Sequence, residues 1–378
     1  MQKKNVTKFS IQLFICILLL ELLLRAVFYQ QVGREKLAIL EITKNIKRRI
    51  IPPDSDRKRV YQNFLIVRPD SGKKVNALIE QEAFASNHFE YSPWTDYKNI
   101  DYSGRYINTK GLVRATTPDI YIGPDSVKMK TIYFLGGSTM YGLNITDRET
   151  IAAAFVNLYR EQFPQGVSIK VVNYGVSAYH SYNELMLLSH LVYSGQKPDI
   201  VVMFDGLNDF LMAYAVLNRL PYYYYRLRQA SRDKIDFKEL ERINDSTSVL
   251  FSNPAGYSED ALTDTLVKTY LSDISQVKKI AAANNFDAFF FIQPNPFYNY
   301  PNKKNDPICD KQQFPLVGKA YKILEAKAPT TTNCLFLGNM LAGEKGYPFV
   351  DRFHYSPLMC RKIAKELVKV VGEKINKY

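Results

Sequence analysis

The stretch Thr131-Ile-Tyr-Phe-Leu-Gly-Gly-Ser138 joins a short apolar run to two glycines and a serine. Apolar residues at helical spacing follow from Ile151. Strand-like runs recur at 168–173, 199–204 and 288–292, and helical patterns separate them. Strands that alternate with helices predict a parallel sheet that is covered by helices on both faces.

Three of these predicted strands end in small or polar residues. They lead into Gly137-Ser138, Tyr174-Gly175 and Gly206-Leu-Asn-Asp209. Sites in open parallel sheets form beyond the carboxyl ends of the strands. We therefore expect these residues to meet at one rim of the sheet, although they are far apart in sequence.

The chain contains a candidate for each group that serine-dependent acyl transfer needs. Ser138 follows a strand in a glycine turn that exposes its hydroxyl. His354 lies just ahead of the C-terminal helical pattern, and Asp351 is close enough to hold the imidazole in one tautomer. A backbone carbonyl or another carboxylate is the alternative partner for the histidine.

Candidate donors for a developing oxyanion are the N–H groups of Ser138 and Gly175 and the side chain of Asn208. Asp209 is assigned to the turn or to the helix start rather than to the chemistry. Each of these motifs is common by itself, since Gly-Gly-Ser is an ordinary turn and asparagine an ordinary helix cap. Their occurrence together and in this order along the chain is what supports the assignment of a site.

Four sequence blocks together resemble the SGNH (GDSL-type) hydrolase superfamily. In order they are Gly136-Gly-Ser-Thr-Met-Tyr-Gly142, Asn173-Tyr-Gly175, Gly206-Leu-Asn-Asp209 and Asp351-Arg-Phe-His354. The resemblance implies a three-layer α/β/α fold with a flavodoxin-like parallel sheet, and a Ser138-His354-Asp351 triad that acts on esters without a metal or organic cofactor. Gly137 stands where the family usually has aspartate.

The segment Asn108-Thr-Lys-Gly-Leu-Val-Arg114 resembles one in membrane-anchored members tied to bacterial surface polysaccharides. The expected function is therefore removal of O-acyl groups, most simply acetyl, from a carbohydrate, with polysaccharide biosynthesis proteins as candidate partners. An O-acyltransferase uses the same residues. A lipid esterase with Tyr222–Tyr225 as an interfacial loop and a catalytically idle SGNH scaffold are further alternatives.

The run at residues 9–29 is long and apolar enough to predict a transmembrane helix. Its two charged residues, Glu21 and Arg25, are four positions apart and can pair on one helix face. No small-residue cleavage site follows, so an uncleaved anchor is favoured over a signal peptide. We expect a single-pass inner-membrane protein with a periplasmic or extracytoplasmic catalytic domain, although flanking charges do not decide the orientation.

The net charge of +13 raises the question of nucleic-acid binding. Residues 1–60 hold thirteen Lys/Arg and five Asp/Glu, a net of +8, so the rest of the chain carries only +5. A basic excess beside an apolar anchor suits anionic lipid headgroups or a solvated linker, not nucleic acid.

The sequence divides into an anchor at 1–30, a basic linker and extension at 31–128, and a hydrolase domain at 129–378. The last carries a predicted insertion at about 217–260. No metal-ligand spacing such as CxxC occurs. Cys309 and Cys334 are candidates for a disulfide in an oxidising compartment.

Overall fold

The computed structural model describes residues 73–124, 129–211, 257–304 and 314–377. The predicted anchor at 9–29, the basic segment after it and residues 217–256 of the predicted insertion lie outside the described residues. Within the described ranges, no helix combines the length and the apolar character that a membrane crossing needs.

Eleven strands belong to the described part of the chain. In order they are β1 (Phe89–Ser92), β2 (Asp96–Asn99), β3 (Tyr102–Ser103), β4 (Asn108–Lys110), β5 (Val113–Arg114), β6 (Ile120–Tyr121), β7 (Met129–Gly136), β8 (Ser168–Asn173), β9 (Ile200–Asp205), β10 (Asp287–Ile292) and β11 (Cys334–Phe336). Strands β1 and β2 form a separate antiparallel hairpin.

The centre of the main sheet is parallel, in the order β8-β7-β9-β10-β11. The register aligns the strand ends, because Gly136 lies beside Phe204 and Ile292 lies beside Asp205. The residues that follow β7, β8, β9 and β10 therefore leave the sheet at one rim, as the sequence predicts.

The helices cover both faces of this sheet. They are α1 (Lys73–Ser86), α2 (Ser138–Tyr141), α3 (Ile151–Gln162), α4 (Ser181–Tyr193), α5 (Leu207–Leu211), α6 (Glu259–Asn284), α7 (Pro315–Lys327) and α8 (Pro357–Leu367), which continues through a π-helical turn at Val368–Gly372 into α9 (Glu373–Ile375). Short 3₁₀ turns occupy Pro301–Lys304, Ala328–Thr330 and Gly338–Leu341.

Alternate residues of each strand enter two different cores, since successive side chains of a strand point to opposite faces. Tyr133 and Leu135 of β7 pack with helices α4, α6 and α7, whereas Ile132 and Phe134 pack with α3 and α8. Both cores are rich in large buried aromatic and aliphatic side chains. The predicted three-layer α/β/α arrangement is therefore present.

The sheet is mixed, which corrects the prediction of a purely parallel one. Strand β5 pairs antiparallel with β8 through Arg114 and Asn173, and β6 pairs antiparallel with β8 through Tyr121 and Ile169. Strands β3 and β4 extend the sheet beyond β5. These short strands cover the free edge of β8, which would otherwise expose unpaired backbone groups.

The candidate disulfide between Cys309 and Cys334 involves a residue outside the described part of the chain. Cys334 is a buried free thiol in β11, and Cys309 lies outside the described residues. Burial raises the pKa of the Cys334 thiol to about 12, so it stays protonated at neutral pH.

Candidate active site

Ser138 opens the short helix α2 directly after β7. The residue before it, Gly137, makes a close approach that a side chain would block. A Cβ atom at position 137 would lie 2.6 Å from Asn208 Nδ2 and 3.0 Å from the Tyr179 carbonyl oxygen. The aspartate usual in the family would thus displace Asn208 here, which gives a packing reason for the glycine.

The structure brings Ser138, His354 and Asp351 together in a hydrogen-bonded chain. His354 Nε2 lies 2.8 Å from Ser138 Oγ, and His354 Nδ1 lies 2.7 Å from Asp351 Oδ2 and 2.9 Å from Asp351 Oδ1. With Nδ1–H directed at Asp351, the neutral imidazole presents Nε2 as an acceptor for the serine hydroxyl. This arrangement can remove the hydroxyl proton during attack on a carbonyl.

All three side chains are well shielded from water. The exposed fractions are 9 % for Ser138, 5 % for His354 and 1 % for Asp351. Low solvent access strengthens the electrostatic interactions among them.

Asp351 is held in its ionised form. Burial alone would raise its pKa, but the interaction with His354 and hydrogen bonds from His354 and Phe353 outweigh burial and lower the pKa below the ordinary value. The backbone N–H groups of Phe353 and His354 donate to Asp351 Oδ1 at 3.1 and 2.9 Å. The turn Asp351-Arg-Phe-His354 therefore both places the histidine and fixes its carboxylate partner.

Asn208 lies just after β9, and its side chain is close to Gly137, the residue before Ser138. Its Nδ2 donates a hydrogen bond of 2.7 Å to the carbonyl of Tyr179, and an amide nitrogen has a second hydrogen to donate. The Ser138 N–H belongs to the first turn of α2, where backbone donors have no partner inside the helix. Both groups suit the predicted role of oxyanion donors.

The structure disagrees with the predicted donor role of Gly175. Its N–H donates to Asn173 Oδ1 at 2.9 Å, so the donor is already engaged. A Cβ atom at position 175 would lie 2.7 Å from the carbonyl carbon of Met140. Gly175 therefore serves the close packing of its backbone against α2.

Sequence reasoning missed Ala178 in the loop between β8 and α4. Its φ of 65° lies in the left-handed region, which costs residues other than glycine conformational energy. Strained backbone often accompanies a functional loop. Ala178 directly precedes Tyr179, whose carbonyl holds Asn208. An alanine gives no sign of this conformation in the sequence.

The sequence also gave no indication of a cluster of buried carboxyl groups behind Asn208. Its members are Glu184, Asp205, Asp209 and Asp273, all at most 4 % exposed. Asp209 accepts hydrogen bonds from the Ser181 N–H and hydroxyl at 3.1 and 2.6 Å, so it supports the start of α4. Across the described ranges, no three His, Cys, Asp or Glu side chains are arranged to hold a metal ion.

Burial raises the pKa values of Glu184, Asp205 and Asp209, and neighbouring carboxylates add to the effect. The pKa of Asp205 rises to about 8 and that of Asp209 to about 6. Burial, then the charges of Asp205 and Asp209, raises the pKa of Glu184 well above its ordinary value. The cluster therefore holds protons at neutral pH.

The layered α/β fold and the hydrogen-bonded Ser138-His354-Asp351 chain define a serine hydrolase of the ester-cleaving type. Residues 132–367 match the model of the GDSL-like Lipase/Acylhydrolase family, so the chain belongs to that family. The predicted family and enzyme class are thereby confirmed. No curated relative matches the chain.

Several solved structures are similar to this chain at low identity. The acetyl xylan esterase AlAXEase is 15 % identical, with 64 % of this chain and 99 % of that chain covered and a TM-score of 0.37. A catalytic mutant of an acetylxylan esterase from Geobacillus stearothermophilus is 18 % identical, with 66 % and 94 % covered and a TM-score of 0.36. A member of the lipolytic G-D-S-L family from Veillonella parvula is 11 % identical, with 64 % and 98 % covered and a TM-score of 0.36.

Proposed function

We propose that this protein is a serine esterase that removes O-acyl groups, most simply acetyl, from a carbohydrate. The observation that supports the chemistry is the continuous chain from Ser138 Oγ through His354 to Asp351, with contacts of 2.8 and 2.7 Å. Nucleophile, base and orienting carboxylate are then already in place before substrate binds.

In the proposed reaction, Ser138 Oγ attacks the ester carbonyl while His354 Nε2 takes the hydroxyl proton. The Asn208 amide and the Ser138 N–H stabilise the negative oxygen of the tetrahedral intermediate. The bond between the acyl carbon and the sugar oxygen then breaks. His354 returns the proton to that oxygen, which leaves as a sugar hydroxyl. Water, activated by His354, hydrolyses the acyl-enzyme and regenerates Ser138.

The decisive experiment measures p-nitrophenyl acetate hydrolysis and covalent labelling by a fluorophosphonate probe. Ser138→Ala should abolish labelling and turnover, and His354→Ala should abolish turnover with the fold unchanged by circular dichroism. Ser194→Ala is a matched control, because Ser194 is an exposed serine at the end of α4. Normal turnover in Ser138→Ala would disprove the proposed chemistry.

We propose Trp94, a half-exposed aromatic residue, as a contact for a sugar ring of the substrate. Trp94 is 51 % exposed and stacks on His190, with ring centroids 5.0 Å apart and planes 20° apart. The β1–β2 hairpin that carries Trp94 is tied to the active-site loop, because the Tyr97 hydroxyl donates to the Ser177 carbonyl at 3.0 Å. Exposed indole rings are suitable platforms for the apolar faces of sugars.

Hydrolysis and transfer are distinguished by the fate of the acyl group. Purified protein is incubated with an O-acetylated xylo-oligosaccharide in the presence of an unacetylated oligosaccharide. Free acetate is measured by coupled assay, and new sugar esters by mass spectrometry. Release of acetate supports the esterase, whereas new ester without acetate identifies an O-acyltransferase.

We also propose that residues 9–29 anchor the protein in the inner membrane with the esterase domain outside the cytoplasm. The support is the length and apolar character of this run. Alkaline carbonate extraction should leave the full chain in the membrane fraction and release a variant without residues 1–30. Protease treatment of spheroplasts should digest the domain if it is extracytoplasmic.

A further inference from the structure

Asn144, which lies outside the turn Asp351-Arg-Phe-His354, contacts the carboxylate of Asp351. The Asn144 Nδ2 group donates to Asp351 Oδ2, the oxygen that lies 2.7 Å from His354 Nδ1. Both side chains are buried. Asp351 is therefore fixed from two directions, by backbone N–H groups of its own turn at Oδ1 and by Asn144 at Oδ2.

The backbone of Asn144 is in the left-handed region, with a φ of 66°. Asparagine adopts this conformation more readily than other residues with side chains, although glycine adopts it most easily. Glycine lacks the amide that reaches Asp351. Asparagine therefore combines the backbone conformation with a donor at this position.

The loop that carries Asn144 is held by a buried ion pair. The Arg114 guanidinium pairs with Asp147 and donates to the Ile145 carbonyl through Nη2 at 3.1 Å. Asp147 in turn accepts hydrogen bonds from the Asn108 N–H and side-chain amide at 3.1 and 2.7 Å. Burial lowers the pKa of Arg114 to about 10, so the guanidinium is charged at neutral pH.

The contacts of Asp147 give a role to the segment Asn108–Arg114, which the esterase chemistry leaves unexplained. Both of its terminal residues bind Asp147, and Asp147 and Ile145 lie in the same loop as Asn144. The added strands β4 and β5 thus connect, through this loop, to the carboxylate of the triad.

We propose that Asn144 is a positioning residue for Asp351, and that Arg114 and Asp147 hold the loop that presents it. Since the Asn144 amide is neutral, it orients the carboxylate without cancelling the negative charge that stabilises the His354 imidazolium. A lysine or arginine in its place would weaken that stabilisation. The inference rests on the proposed esterase function of Ser138.

The first test is Asn144→Gly, which keeps the left-handed backbone and removes only the amide. Loss of a hydrogen bond to a buried charge should lower kcat for p-nitrophenyl acetate by about 10-fold or more, with KM little changed. Asn285→Gly is the matched control, because Asn285 has a φ of 55° at the exposed end of α6. It should leave kcat unchanged.

The second test separates positioning from general support of the fold. In an Asp351→Ala background, Asn144→Gly should change kcat by less than about 2-fold, because its effect passes through Asp351. An equal loss in both backgrounds would overturn the proposal. Asn144→Asp places a second carboxylate beside Asp351 and should move the acidic limb of the kcat profile to higher pH.

The outcomes distinguish this inference from the proposed function. If Ser138→Ala is inactive and Asn144→Gly is as active as wild type, the positioning role is wrong and the esterase function stands. If Ser138→Ala keeps full turnover, the esterase function is wrong, and the positioning role falls with it.

Discussion

Ser181 Oγ lies 2.6 Å from Asp209 Oδ1 and also 2.9 Å from Asp273 Oδ2. A hydroxyl has one hydrogen and can donate it to only one of these carboxyl groups. One hydroxyl therefore bridges two buried carboxyl groups, and burial raises the pKa of one of them, Asp209, to about 6.

The raised pKa values in this buried cluster predict that the free energy of unfolding decreases as the pH rises from about 5 to 8. The folded-state pKa values of Asp205 and Asp209, about 8 and about 6, lie above the ordinary value of 3.8. The folded state therefore binds more protons than the unfolded state in this window, so its stability falls with rising pH. Urea denaturation at several pH values measures the slope.

Glu184→Gln tests whether the buried carboxyl groups cause the decrease in the free energy of unfolding with rising pH. It removes one carboxyl from the cluster and should raise the free energy of unfolding at pH 8 by on the order of 1 kcal/mol. The gain should shrink as the pH falls toward 5, because the raised pKa of Glu184 favours its protonated form. Glu373→Gln, at an exposed position of α9, is the control. Equal stability of wild type at pH 5 and pH 8 would contradict this account.

Ala178→Gly should stabilise the protein. A left-handed conformation costs an alanine about 1–2 kcal/mol, and glycine loses roughly 0.5–1 kcal/mol more backbone entropy on folding. A net gain of up to about 1 kcal/mol follows. Thermal denaturation measures it, with Ala342→Gly as the control, since Ala342 has a φ of −58° and should be destabilised by glycine.

Asn208→Ala should lower kcat on the order of 10²-fold, the usual effect of removing one oxyanion donor. It also removes the hydrogen bond to the Tyr179 carbonyl, so the melting temperature is measured in parallel. Asn157→Ala, on the far helix α3, should be fully active. Wild-type turnover in Asn208→Ala would show that this amide does not face the reacting carbonyl.

Trp94→Ala should weaken turnover of an acetylated oligosaccharide and leave p-nitrophenyl acetate hydrolysis unchanged. The small ester has no sugar ring to stack, so only the larger substrate loses contact area. KM for the oligosaccharide should rise several-fold, by about 1 kcal/mol of lost aromatic contact. Tyr257→Ala, another exposed aromatic, is the control. Equal losses on both substrates would place Trp94 outside the sugar site.

The meeting of Ser138, Asp351 and His354 could be predicted because Ser138 follows a strand end and the other two precede a helix, and parallel strands share one rim. The antiparallel edge could not, because β3, β5 and β6 have only two residues each and show no periodicity. The position of Gly175 after a strand predicts a donor role. Its engagement by the Asn173 side chain depends on local geometry that the sequence does not show.

The buried acids escaped prediction for a related reason. Glu184 lies in an amphipathic helix, where a glutamate usually faces water. Its burial depends on packing against β9 and α6, elements that are distant in sequence. Asn144 is likewise ordinary in sequence, and only the fold brings it to Asp351.

The ion pair between Arg114 and Asp147 limits how short a fragment of this chain can be and still fold into an active domain. A fragment beginning at residue 129 would contain all of Ser138, Asn208, Asp351 and His354. It would nevertheless expose the edge of β8 and leave Asp147 buried without its cation. Recombinant versions intended for enzymology should therefore retain Arg114 and strands β5 and β6.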